Sequence, residues 1–274
     1  MPDRILMFML VLGSILCSSC DKDNPVTPQP PPPPQSPAVL LKEINVPNLP
    51  SPYYHFDYTD SGMIDKALYA SGLRSYDVIF TGNKIAEMKS THVINKDRLK
   101  YVYDNGGKIA VIEYNDENGV VYKRAFLSFQ GDRLQEIEWE RKENAGFALE
   151  RTLSFIYQSD GNVLEITDHR HPLANQDEAT YVSSYEEYDN KLNVDGFMLA
   201  HENNDHLLLL PGVVFQKNNP AKLIFTGTGN HYTIDYTYTY NDKNVPLTKM
   251  GDAIFTAGPA TGQKFKTSAS FSYY

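Results

Sequence analysis

Cysteine is almost absent from this chain, and its two copies, Cys17 and Cys20, both fall within the first twenty residues. Everything after Cys20 is therefore without a thiol nucleophile or an internal disulfide, so stability has to come from a buried core. Positive charge is in deficit as well. With 25 Lys+Arg against 34 Asp+Glu the net charge is −9, which speaks against broad attraction to phosphates and against a nucleic-acid partner. No apolar run reaches the roughly 20 residues that a membrane-spanning helix needs. A G-x-S-x-G elbow, a Walker loop and a Gly-rich dinucleotide fingerprint are missing too, and the sequence implies no cofactor.

What is plentiful is aromatic. Nineteen Tyr and thirteen Phe stand beside one Trp, and 41% of the 274 residues are hydrophobic. That is enough to build a core, and with 17 Gly and 17 Pro the balance leans toward strands and turns.

The chain opens with Arg4 and an apolar run from Ile5 to Leu16, followed by the small pair Ser18-Ser19 directly before Cys20. This is the outline of a secretory signal. With the small residues and the Cys it resembles a bacterial lipoprotein, although Cys17 stands where that family usually has Leu. The resemblance implies cleavage before Cys20, a diacylglycerol on its sulfur and an acyl group on the new amino terminus, so that the membrane is a partner through a lipid anchor at Cys20. From Pro25 to Pro37 eight of thirteen residues are proline. Such a run favours polyproline II, and at roughly 3.1 Å per residue the stretch from Asp21 to Ala38 makes a stalk of roughly 55 Å. Asp21, Lys22 and Asp23 resemble the export signal of surface lipoproteins in Bacteroidota, which implies an outer-membrane, surface-exposed protein. In an enterobacterial sorting system Asp21 implies inner-membrane retention instead, and a periplasmic face is the alternative. The organisation expected is a signal peptide over 1–19, a Pro-rich tether over 20–40 and a single β-rich domain over 41–274.

Within that domain an apolar-aromatic run, a Gly/Asn/Asp turn and a second apolar run recur. Tyr101-Val-Tyr103-Asp104-Asn-Gly-Gly107-Lys-Ile109-Ala-Val-Ile112 is the clearest copy, with others around Gly62, Gly82, Gly131 and Gly161. The last aromatic before each turn is Tyr58, Phe80, Tyr103, Phe129, Tyr157 and Tyr188, at separations of 22, 23, 26, 28 and 31. Each interval fits one hairpin and a return loop. Tyr232, Ile234, Tyr236, Tyr238 and Tyr240 alternate with polar residues, a period of two that predicts a strand. The run at 101–112 resembles the YD repeats of Rhs-type and teneurin-like proteins, loosely extended over roughly residues 53–192. More closely, the chain resembles Bacteroidota lipoproteins of unknown function, in which a Tyr-Asp-Asn-Lys-x-Asn segment (Tyr188 to Asn193) leads through a short helical excursion to an Asn-Asn-Pro return (Asn218-Asn219-Pro220). The expected fold is all-β: consecutive antiparallel hairpins in a twisted, curled sheet, a half-barrel or sandwich, with one short helical excursion near 195–210.

Three places invite chemistry. His201, Glu202, Asp205 and His206 carry zinc-ligand types, but their spacing departs from the i, i+4 pattern of a zinc helix, so no metal site is assigned. His169-Arg170-His171-Pro172 reads as a loop that can meet an anion or simply stay solvated. Glu136, Glu138 and Glu140 alternate with Ile137 and Trp139, as any half-exposed strand does, while paired carboxylates across a cleft are what a glycosidase needs. No catalytic residue is assigned. The reading is a non-catalytic cell-envelope lipoprotein that binds or scaffolds a glycan or envelope protein; the alternative is a secreted glycan-active hydrolase. Cys20→Ser is expected to abolish incorporation of a metabolic acyl label, and equal labelling of variant and wild type would refute lipidation.

Overall fold

A computed structural model describes residues 39–144, 146–173, 177–194 and 208–274. They form sixteen strands: β1 Leu41–Asn45, β2 Tyr54–Tyr58, β3 Ile64–Tyr69, β4 Arg74–Thr81, β5 Lys84–Ser90, β6 Arg98–Tyr103, β7 Ile109–Asn115 and β8 Val121–Gln130 make the first half. The second half is β9 Arg133–Glu143, β10 Gly146–Tyr157, β11 Val163–Arg170, β12 Ala179–Tyr188, β13 Pro220–Gly227, β14 His231–Tyr240, β15 Pro246–Ala257 and β16 Lys264–Tyr273. Each pairs antiparallel with its sequence neighbours. The half-barrel or sandwich expected from the repeats is instead a closed barrel, because β1 pairs with β16 through Leu41↔Tyr273, Ile44↔Phe271 and Asn45↔Ser270. Closure removes the two edges that an open sheet would leave unpaired. Among the described residues there is no α-helix, and the only helical piece is a 3-10 turn at Ala70–Gly72. Residues 195–207 of the expected helical excursion lie outside the described residues, while 208–210 are not helical.

The repeat tips all fall at one end of the barrel, where the chain also enters at residue 39. This near end carries the turns after every even-numbered strand, and Gly62, Gly82, Gly107, Gly131 and Gly161 sit in them with positive φ. At the tip of the best repeat the Gly107 amide donates to the Asp104 carbonyl (3.1 Å) and the Lys108 amide to the Asp104 side chain (2.9 Å). Gly107, at φ 84°, supplies the left-handed turn residue at little steric cost. The acidic residue after the repeat aromatic is thus a turn cap.

The aromatics that end the even strands face inward and ring the near end. Four of them reach back with a hydroxyl to the strand before: Tyr58 donates to the Leu41 carbonyl (2.8 Å), Tyr103 to Ile85 (2.9 Å), Tyr188 to Val163 (2.6 Å) and Tyr273 to Pro246. Tyr103 and Tyr188 thereby join one near-end hairpin to the next, while Tyr58 ties β2 to β1 and Tyr273 ties β16 to β15. Between β12 and β13 the returning chain enters the barrel, burying Leu208, Leu209 and Phe215 in the same core as the wall residues. Its Asn218-Asn219 pair is pinned from both sides. Buried Asn162 accepts the Lys217 and Asn218 amides (2.9 and 3.0 Å) through its side-chain oxygen, and Asp189 accepts the Asn219 amide (3.0 Å).

Loss of a tyrosine hydrogen bond of this kind costs about 1 kcal/mol. Tyr188→Phe is therefore expected to lower the unfolding free energy by about that much. Tyr157→Phe should be neutral, since the Tyr157 hydroxyl is buried without a partner among the described residues; chemical denaturation compares the two. Burial pushes the Tyr58 and Tyr157 hydroxyls up to about 12 from the usual 10.0. Above pH 10 the unfolded chain ionises these groups and the folded one does not, so stability, level below that pH, is expected to fall as pH rises from 10 toward 12. A denaturation midpoint no lower at pH 11 than at pH 8 would contradict this.

Candidate functional site

Inward positions of a barrel this size would ordinarily be apolar or open to water, yet one side of the lumen holds buried charge. A β-bulge between Leu149 and Arg151 lets two consecutive residues, Glu150 and Arg151, both turn inward. Glu150 receives Lys123 Nζ at 2.7 Å and Arg141 Nη2 at 2.5 Å. Arg151 forms a forked pair with Asp168, Nε to Oδ1 at 2.6 Å and Nη2 to Oδ2 at 3.0 Å, with side-chain exposures of 8% and 12%. Its guanidinium lies 5.2 Å over the Trp139 ring, and Trp139 donates to the Tyr114 hydroxyl at 3.1 Å. Such forks are rigid and directional.

Beyond Asp168, Arg170 approaches the same carboxylate at 3.6 Å and lies 4.9 Å over the Tyr181 ring. From Tyr181 a stack runs round the wall through Phe225 (centroids 5.9 Å apart) to Tyr232 (4.5 Å). Tyr181 stands opposite Gly227 in the register. A Cβ on Gly227 would meet the Tyr181 ring at 2.4 Å, so the glycine is what lets the ring lie flat there. Arg151, Asp168, Arg170, Ser183 and the aromatic stack enclose a cavity of about 380 Å³ on the inner wall of β10–β14 toward the far end. The volume is that of a small-molecule site. A second, more apolar cavity of about 520 Å³ lies at the near end between the returning segment and the turns of β2–β5.

The residues singled out in the sequence are arranged differently. His169 and Arg170 belong to β11 rather than to a loop, and alternation separates them. His169 and His171 stack on each other outside, 4.2 Å apart, with His169 on Glu178 (3.0 Å) and His171 on Thr152 (3.0 Å), whereas Arg170 turns into the lumen. Glu136, Glu138 and Glu140 lie on the outer wall of β9, where Ser154 donates to Glu136 at 3.2 Å; a convex wall gives them no opposing face. Tyr232, Tyr236, Tyr238 and Tyr240 point into the barrel, so they offer no outward sheet face. Cys20 and the group His201, Glu202, Asp205 and His206 lie outside the described residues. The lumenal charges do have a signature in the sequence. Lys123-x-Ala125-x-Leu127, Arg151-x-Leu153-x-Phe155 and Ile166-x-Asp168-x-Arg170 place a charge in phase with the apolar face at one end of a strand.

No protein-family model and no curated protein matches the chain. Among solved structures it is similar to a porin-like protein from Bacteroides uniformis, with a TM-score of 0.52 at 12% identity over 81% of this chain and 89% of that one. That likeness shows the barrel fold alone. It also overlaps part of the TcdB2-TccC3-Cdc42 complex, 16% identical over 78% of this chain and 9% of that chain, but at a TM-score of 0.31 this bears no weight. Removing one partner of a buried ion pair strands the others. Glu150→Gln is expected to cost about 3 kcal/mol of stability and outer-wall Glu138→Gln less than about 0.5 kcal/mol, as read by thermal unfolding.

Proposed function

We propose that this protein is a non-catalytic cell-envelope lipoprotein, held by its lipidated Cys20 at the outer-membrane surface, whose barrel stands in water and serves as a binding module. The phase of alternation carries this reading. A barrel that crosses a bilayer turns an apolar band about 25 Å tall outward and its polar residues inward. Here the order is reversed. Leu99, Ile112, Ala125, Ile137 and Trp139 are buried inside, while the register aligns Glu87, Lys100, Glu113, Arg124 and Glu140 into a belt of alternating charge across the outside of β5–β9. A second belt, Asp57, Lys66, Asp77 and Lys89, crosses β2–β5. A third runs through Glu186, Lys222, Asp235, Asp252 and Lys266 over β12–β16.

Each Lys or Arg at a bilayer midplane costs about 2–4 kcal/mol, so these belts favour water and the porin-like neighbour is a relative in shape only. The lumen is filled by aromatic side chains and by Leu208, Leu209 and Phe215, which is suited to holding a small ligand and unsuited to conduction. The hydrolase reading draws no support from Glu136, Glu138 and Glu140, which share one convex wall.

A protease site inserted at Gln35 tests the proposal. Cleavage on intact cells is expected to release a folded barrel into the aqueous fraction. A barrel that stays in the membrane pellet after cleavage, or whole protein that gives stepwise conductance in a planar bilayer, would refute it.

A further inference from the structure

We propose that the far-end cavity of about 380 Å³ binds a sugar acid, a monosaccharide or terminal glycan unit carrying one carboxylate. The inference rests on the reading of the barrel as a water-standing binding module and gives that module its site and ligand class.

Charge comes first. The cavity wall brings Arg151 and Arg170 together with a single carboxylate, Asp168, an excess of one positive charge in a molecule whose net charge is −9. Asp168 is gripped by the Arg151 fork at 2.6 and 3.0 Å, whereas Arg170 is only loosely engaged with it at 3.6 Å. Arg170 is thus the guanidinium placed to take an incoming carboxylate in a forked contact.

Asp168 then narrows the class. A carboxylate accepts hydrogen bonds at about four lone-pair positions, so beyond the Arg151 fork it retains acceptor capacity at the cavity wall. A fully deprotonated anion such as sulfate would face that negative charge with nothing to donate. A sugar acid brings hydroxyl donors to Asp168 and a carboxylate to Arg170 at once. Ser183, Tyr181 and Tyr232 add hydroxyl groups to the wall, and Leu153, Ile166 and Phe225 add apolar surface, the mixture that a sugar's polar rim and C–H faces require.

The site is also built. Gly227 gives Tyr181 its place, since any Cβ there would run into the ring at 2.4 Å, and Arg170 covers that ring at 4.9 Å. The near end is occupied by the hairpin turns, by the returning segment and by the point where the chain enters. The cavity lies toward the other end, away from all of these.

The test uses the full chain in detergent and isothermal titration calorimetry with glucuronate, glucose and acetate. Glucuronate is expected to bind at least tenfold more tightly than either of the others, and Arg170→Gln to weaken it at least tenfold while leaving the thermal midpoint close to wild type. Gly227→Ala is expected to weaken glucuronate as well, through displacement of Tyr181, and Ser183→Ala offers a variant with little risk to folding that should weaken it severalfold. Absence of glucuronate binding, equal binding of glucose or of acetate, or an Arg170→Gln protein that binds like wild type would overturn the assignment. Any of these results would leave the tethered barrel standing, since release from the membrane by cleavage at the stalk is measured independently.

Discussion

A tyrosine hydroxyl reaching back to a carbonyl near the start of the preceding strand is the contact on which the barrel depends. Each near-end turn closes a local hairpin, and far-end turns such as those between β7 and β8 and between β9 and β10 join one hairpin to the next. Tyr58 on Leu41, Tyr103 on Ile85, Tyr188 on Val163 and Tyr273 on Pro246 tie neighbouring strands together at the near end, where no such turn joins them. The last of them orders β16 against β15, and β16 then accepts β1 to close the ring. Because each phenol is inward and half-buried, the same side chain fills the lumen and spends its polar atom on a backbone acceptor. The repeat aromatic is therefore a fastener as well as core, and in the clearest copy Asp104, directly after Tyr103, caps the turn that returns the chain.

Once the ring is closed, the phase of alternation decides which solvent it suits. One residue of slip would exchange the two faces, and the bulges between Ile79 and Phe80, Val102 and Tyr103, and Ser128 and Phe129 fall next to the repeat aromatics. The extra residue lies on the following strand, Ala86, Ala110 or Gln135, and lets Ile85, Ile109 and Leu134 face inward opposite the aromatic while the rest of that strand keeps its phase. Barrel shape and bilayer insertion are thus separable properties, which is why a structural likeness to a porin-like protein does not carry a pore with it.

Much of the local architecture was legible in the residues. The tips at Gly62 to Gly161 and the ten-residue alternation of His231 to Tyr240 follow from backbone freedom and a period of two, which a window of ten residues contains. Closure was not legible, because β1, Leu41–Asn45, carries no repeat, and its partnership with β16 lies over two hundred residues away. Local alternation says that one face is buried and is silent on how many strands complete the ring. The lumenal charges were hidden for a related reason. Arg170 reads in the sequence as part of a loop before Pro172, and its place beside Asp168 emerges only when β10 and β12 bring Arg151 and Tyr181 against β11.

The position of the cavity follows from how unevenly the strands fill the lumen. Toward the far end β4, β7 and β9 project Tyr76, Tyr114 and Trp139, each almost wholly buried, and these rings consume the space on their side. On the opposite side β12 offers Ser183 between Ile166 and Phe225 in the register, a small residue where bulk would be needed to close the gap. The adjoining rings do not fill it either, since Tyr181, Phe225 and Tyr232 stack along the wall with Gly227 as their footing. A wall of small and stacked residues next to paired charges leaves a polar hollow that stability alone would favour closing. Filling it with one larger side chain at Ser183 would bury more apolar surface and leave the Arg151–Asp168 fork in a dry core with no further role. The hollow and the charges are therefore best understood together, as one arrangement.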